Sequence, residues 1–249
     1  IPLITSEDFF GHLEEAIKQT WPKPKMLIIS FPHNPTTEVV ELDFFERIVQ
    51  FAQEYDLMVV HDLAYADLTF DGYRAPSFLQ VPGAKEVGVE IFSLSKGWNM
   101  TGWRVAWIAG NPEIVERYRR LKTNLDSGMF DALQHAAVAA LTAARDFPAE
   151  MSEIYRRRRD LMIEALAAIG LPSSPPKATP YIWVRVPAGY TSASFTELVL
   201  DEAAVVVSPG PSFGPSGEGY VRISLTVADE RLEEAARRIA SSLRVEATA

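Results

Sequence analysis

The sequence predicts an α/β fold: a mostly parallel sheet with flanking helices, followed by a smaller α+β domain. Three observations predict it. Short apolar runs alternate with segments of helical period through the first half of the chain. The alternation ends near Asn111, where helical stretches follow one another. The proline-rich LPSSPPKATP (171–180) then separates these helices from a group of short strands.

FFGHLEEAIKQT (9–20) has the character of a helix, and KMLIIS (25–30) is an apolar run that ends in the turn-rich FPHNPTT. In LDFFERIVQFAQEYD (42–56), Phe44, Ile48, Phe51 or Ala52, and Tyr55 recur at helical spacing. LMVVHD (57–62) is the next buried strand, and it opens into the loop LAYADLTFDGYRAPS. VGVEIFSLS (87–95) and TGWRVAWIAG (101–110) complete the set of strands in this half. NPEIVERYRRLKTNL, DALQHAAVAALTAARDF and MSEIYRRRRDLMIEALAAIG are helical. The run Arg156–Arg159 in the last of them reads as the solvated face of an amphipathic helix, paired with Glu153 and Asp160. YIWVRV, AVVVSP and GYVRISLT read as strands, closed by the helix DERLEEAARRIASSL. The expected division is a large domain over 1–143 and a small one over 144–249.

Composition narrows the function classes. A chain of 249 residues with 47% hydrophobic and 23% charged residues can bury a substantial core. A net charge of −9 argues against a nucleic-acid or anionic-membrane partner. There is no cysteine, so thiolate chemistry and disulfides are excluded and the cytoplasm is the natural compartment. The four histidines, His12, His33, His61 and His135, lack metal-ligand spacing, so no metal is expected. No apolar run reaches the ~18 residues needed to span a bilayer. The chain starts with Ile1 and enters a helix almost at once, which predicts that it is the later part of a longer polypeptide.

In an open parallel sheet, ligands bind beyond the carboxyl ends of the strands. That rule gathers Asn34 from the first run, Asp62 and Tyr65 from the second, and Ser93, Ser95 and Lys96 from the third, with Arg104 in the turn back. An amide, a carboxylate, a phenol, two hydroxyls, an amine and a guanidinium suit a ligand with a phosphate and a carbonyl.

HNPT, HDLAYADLTFDG and SLSKGWNMTGWR, with the later arginine of YVRIS, resemble the cofactor site of fold-type-I, class I/II pyridoxal-phosphate aminotransferases. The wording is most similar to a bacterial branch of alanine–glutamate and LL-diaminopimelate aminotransferases, and the resemblance covers nearly the whole chain. It implies pyridoxal 5'-phosphate as cofactor, small-molecule substrates (an amino acid and a 2-oxo acid), and a homodimer. It also implies roles. Lys96 would condense with the cofactor aldehyde and then shuttle a proton, a task an amine performs only when partly desolvated. Asp62 would hold the pyridine nitrogen protonated. Tyr65 and Asn34 would bond the ring oxygen, while Ser93, Ser95 and Arg104 would hold the phosphate. Arg222 would clamp the substrate α-carboxylate, and Asn34 would touch the substrate as well. Val221, Ile223 and Leu225 claim the other side of the Arg222 strand, which leaves the guanidinium turned away from that apolar face.

His61 should face away from Asp62 and pack in the core, and Trp98, Trp103 and Trp107 read as core or interface residues. The family's glycine-rich phosphate loop, cofactor-stacking aromatic and lent tyrosine lie upstream of the matching segments. The chain by itself is therefore expected to be an incomplete catalyst. Thr37 stands where family members usually carry glycine after NPT. Two alternatives share these residues: a pyridoxal-phosphate β-lyase, and the aminotransferase-like sensor domain of a transcription regulator.

Overall fold

The structure, a computed structural model, describes residues 8–126 and 128–243. These divide into two compact units: one extends to Ser152, except for Asn34–Thr37, which belong with Glu153 onward in the other. The division falls within a helix, beyond the break expected at 143/144.

In the first unit, helix α1 (Phe9–Gln19) precedes strand β1 (Met26–Ser30), helix α2 (Leu42–Tyr55) and strand β2 (Met58–Asp62). A helical turn α3 (Ala84–Val87), strand β3 (Gly88–Ser93), a second turn α4 (Leu94–Gly97) and strand β4 (Ala106–Gly110) follow. The strands lie in the order β1-β2-β3-β4. β1, β2 and β3 are parallel, and β4 returns antiparallel to β3. The chain between β3 and β4 is used up by α4 and a 3₁₀ turn at Thr101–Trp103, so there is no crossover helix to make the last pair parallel. For that reason VGVEIFSLS is strand only as far as Ser93, and TGWRVAWIAG only from Ala106.

α1 buries Phe9, Leu13 and Ile17, one residue per turn, and Asp8 caps it by accepting from Gly11 N. α2 buries Phe45, Ile48, Val49 and Ala52 at i, i+3, i+4 and i+7. Both helices pack on one face of the sheet with Leu27, Ile29 and Val59. Burial along β2 alternates, so Val59 and His61 point into this core while Asp62 is exposed at the strand end. Ile28 of β1, on the opposite face, is 69% exposed.

α5 (Pro112–Leu125) and α6 (Asp131–Thr142) follow, and α7 (Phe147–Ala168) runs across the division. Trp98 Nε1 donates to the carbonyls of Ala140 and Ala144, and its ring packs with Leu94 and Val105. Trp103 and Trp107 are 45% and 39% exposed, so of the three tryptophans only Trp98 takes the expected core role here.

The second unit has strands β5 (Tyr181–Arg185), β6 (Ser208–Pro209) and β7 (Tyr220–Ser224) in an antiparallel sheet of order β5-β7-β6. Its helices α8 (Ser192–Ala203) and α9 (Asp229–Ser242) bury Phe195, Val199, Leu232, Ala236 and Ile239. α8 is an element the sequence reading lacked. Thr191 and Ser194 cap it reciprocally, where a glutamate or glutamine would have announced the motif.

The arginine run corrects one expectation. Arg156 does pair with Glu153 and Asp160 in the open. Arg159, however, is only 3% exposed, and its guanidinium donates to Asp160 Oδ1 and to the carbonyl of Pro176. Arg158 joins Asp229 Oδ1 to the carbonyl of Leu225. The helix turns only about 100° per residue, so four consecutive arginines cannot share one solvated face. Among the described residues, no helix is long and apolar enough to cross a membrane.

Candidate active site

The carboxyl end of the parallel strands in the first unit carries Asp62, Tyr65, Ser93, Ser95, Lys96 and Arg104. Asp62 is fixed by a local turn in which its Oδ1 accepts from Ala64 N at 3.1 Å. That turn delivers Tyr65, which is buried, and Lys96 Nζ lies 5.4 Å from the centre of its ring. The amine and the phenol thus come from different strand exits to one place.

β3 passes directly into α4. Ser93 caps this turn by accepting from Ser95 N, and its Oγ lies 2.8 Å from Ser95 Oγ and 3.1 Å from the carbonyl of Val105. Thr101 Oγ1 donates to the carbonyl of Ser95, and Arg104 NH1 donates to the carbonyl of Thr101. Arg104 has φ 57°, a left-handed conformation that turns the chain back toward β4 and leaves its side chain exposed beside the serine turn. Two hydroxyls and a guanidinium on one knitted turn form a donor set for an anion.

Gly97 is required where it stands. A Cβ there would come within 2.7 Å of Asp67 Cβ and 3.0 Å of Asp67 Oδ2. Asp67 escaped notice in the sequence, although it sits inside the quoted YADL. Its Oδ2 is buried with no hydrogen-bond partner among the described residues, and burial raises its carboxyl above the ordinary range. A carboxyl raised in the folded state contributes stability that is full below the unfolded value and is lost as pH rises through the folded one. Asp67→Asn removes that loss. The variant should therefore melt higher than wild type at pH 7–8, with the gain shrinking toward pH 4. Thermal midpoints across this range check it, and a gain that grows on acidification would contradict the assignment.

In the second unit, Arg222 lies on β7 between Val221 and Ile223, whose side chains are buried on the other face. Its NH1 donates to Asn34 Oδ1 at 2.7 Å. Its guanidinium carbon lies 4.2 Å from the Tyr181 ring centre and 4.4 Å from that of Phe213. Nε is buried and unpaired among the described residues. A buried donor left unpaired costs about 1–3 kcal/mol, and a carboxylate on the guanidinium edge would remove that cost. Asn34, expected at a cofactor ring oxygen as well as at the substrate, here orients Arg222. Tyr181 and Phe213 are site residues the sequence reading missed. Tyr181 could have been found, since it shares a sheet face with Trp183 and hence with Arg222, the partner of Trp183 in register.

Thr37 has φ 62°, the conformation glycine favours, so the turn after NPT keeps that geometry with a β-branched residue in it. Neighbouring His33 is pushed down to about 4 by burial, so it is neutral at physiological pH.

Comparison with known proteins decides the family. Residues 7–239 match the family "Aminotransferase class I and II". The chain belongs to the class I and II aminotransferases. It is 48% identical over 239 residues to the LL-diaminopimelate aminotransferase of Moorella thermoacetica, covering 96% of this chain and 61% of that protein. It is 45% identical to a glutamate-pyruvate aminotransferase of Escherichia coli, covering 99% of this chain and 60% of that one. Among solved structures, the aromatic aminotransferase of Pyrococcus horikoshii superposes with a TM-score of 0.84 at 38% identity, over 92% of this chain and 62% of that chain. This aminotransferase chain thus spans about three-fifths of the length of the curated relatives it matches.

Proposed function

We propose that the polypeptide containing this chain is a pyridoxal-phosphate-dependent aminotransferase, moving an amino group between an α-amino acid and a 2-oxo acid. The observation that carries the reading is Lys96. Its amine lies against the Tyr65 ring, at the sheet edge where Asp62 emerges, in a chain of this family. One relative is named for LL-diaminopimelate and another for glutamate and pyruvate, and these names support amino transfer of the LL-diaminopimelate or alanine/glutamate type. Of the finer readings, the homodimer rests on the family resemblance and the cytoplasm on the absence of cysteine from the chain.

The donor set fits pyridoxal phosphate: hydroxyls and a guanidinium for the phosphate, a carboxylate for the ring nitrogen, and an amine for the aldehyde. When bound, this cofactor supplies the electron sink for the bond broken at the substrate Cα. Ser93, Ser95 and Arg104 would hold the phosphate. Asp62 would keep a proton on the ring nitrogen by pairing its charge with it. Tyr65 would hydrogen-bond the ring oxygen, a role the family resemblance also gives to Asn34. Lys96 Nζ moves the proton at the substrate Cα. Arg222, held by Asn34, takes the α-carboxylate with its guanidinium edge.

The full polypeptide with pyridoxal phosphate, either LL-diaminopimelate or alanine, and 2-oxoglutarate should form glutamate without releasing ammonia. Release of ammonia and pyruvate from a β-substituted amino acid, with no glutamate formed, would make it a lyase. Neither activity would leave the sensor reading. Arg222→Lys keeps the charge but loses the planar fork, so KM for the amino acid and for the oxo acid should rise together, by about tenfold or more. A change confined to one substrate would show that Arg222 reads a side chain instead.

A further inference from the structure

His61, the residue before Asp62, is completely buried, and it is more than packing. Its Nδ1 lies 3.0 Å from Glu90 Oε2, and its Nε2 faces the backbone of Phe31, 3.3 Å from the N and 3.2 Å from the O. Glu90, itself buried in the middle of β3, also accepts from Ser77 Oγ at 2.8 Å and from Phe78 N at 2.8 Å. The rings of Phe45 and Phe78 surround the imidazole. Four segments therefore meet in one apolar pocket through directional bonds: the exit of β1, the end of β2, the middle of β3, and the loop at Ser77.

Stability alone does not call for this arrangement. A buried ion or hydrogen-bond pair rarely outperforms apolar side chains of similar volume, because desolvation cancels most of the attraction. What such a pair adds is register, since hydrogen bonds have direction and hydrophobic contacts do not. Here the register matters. Ile29, His61 and Glu90 form one row across the sheet, and Ser30, Asp62 and Ile91 form the next. The row held by His61 and Glu90 is the last before Asp62, and Glu90 lies on the strand that ends at Ser93 and leads into the Lys96 turn.

We propose that His61 and Glu90 are a positioning pair that fixes Asp62 and the Ser93–Lys96 turn at the heights the cofactor site requires. The inference rests on the function proposed above. With Glu90 on the Nδ1 side, Nε2 faces the backbone N and O of Phe31, which tethers the imidazole to the exit of β1.

The test is the double variant His61→Phe/Glu90→Leu in the full polypeptide, which replaces both partners by apolar groups and leaves Asp62 and Lys96 in place. Because the variant also takes the acceptors from Phe31 N–H and Phe78 N–H, its thermal midpoint should fall by about 5–15 °C, and the titrations are made well below that midpoint. The dissociation constant of pyridoxal phosphate, measured by titrating the apoprotein, should rise about tenfold, and kcat should fall about tenfold with KM within about twofold. The absorption maximum of the bound cofactor should move as well. Glu90→Gln keeps the shape, with its one oxygen able to accept from Phe78 N while its amide NH2 faces Ser77 Oγ, and serves if the double variant does not fold. It should raise the cofactor dissociation constant about threefold or more. A folded variant whose cofactor affinity, spectrum and kcat match wild type would overturn the proposal and reduce the pair to packing. A wild-type protein that neither binds pyridoxal phosphate nor transfers amino groups would overturn the function and this inference together, an outcome distinct from the first.

Discussion

Lys96→Ala in the full polypeptide should abolish amino transfer and remove the near-ultraviolet/visible band of the bound cofactor. On the proposed function, the variant loses both the covalent anchor and the base that would move the Cα proton. General acid–base catalysis alone is worth about 10²–10⁴-fold, so a loss of at least about 10³-fold, more than about 4 kcal/mol in the barrier, is the expected minimum. The site explains why no neighbour can substitute. Lys96 is set by a four-residue turn that Ser93 caps, and Gly97 locks against Asp67. No other lysine is on that turn. Borohydride treatment of wild type should fix the cofactor to the peptide containing Lys96. A variant that still yields a borohydride-fixed cofactor at another lysine would reassign the chemistry.

Asp62→Asn is the next largest effect. The amide keeps the size of the side chain and can preserve the turn to Ala64 N, because its oxygen still accepts. What it lacks is the negative charge that, on the proposed function, would hold a proton on the pyridine nitrogen. Turnover should fall by at least about 10²-fold, on the order of 3 kcal/mol in the barrier. Cofactor affinity should change less, since Ser93, Ser95 and Arg104, the groups proposed for the phosphate, are untouched. Single-turnover kinetics together with a cofactor titration separate the two effects. A variant within a few-fold of wild type would remove Asp62 from its assigned role.

Much of this site is legible without coordinates, because strand period and strand ends are local properties. Apolar alternation puts His61 and Asp62 on opposite faces of β2, and Val221 and Ile223 opposite Arg222 on β7, as the structure shows. The order Asp62, Tyr65, Ser93, Ser95, Lys96, Arg104 is carried by short loops at strand exits, so proximity in sequence already brings most of these groups near one another. The wholly exposed Arg156–Arg159 face failed for a reason equally local: helical geometry spreads four successive side chains around the axis. α8 escaped because Thr191 and Ser194 cap it with a pair that has no strong sequence signature.

The sequence by itself determined the α/β class, the parallel run of strands, the amine at the end of the third strand and the family to which the chain belongs. The first three follow from residue type and period along a few neighbouring positions, and the family from the likeness of HNPT, HDLAYADLTFDG and SLSKGWNMTGWR to known members. Only the tertiary structure decided the antiparallel return of β4, the burial of Asp67 Oδ2 against Gly97 with no partner among the described residues, the bond from Arg222 to Asn34, and the burial of Glu90 against His61. These depend on which groups from distant segments meet in a dry interior. There a polar atom must find a partner or go without, and residue identity alone does not say which of the two occurs.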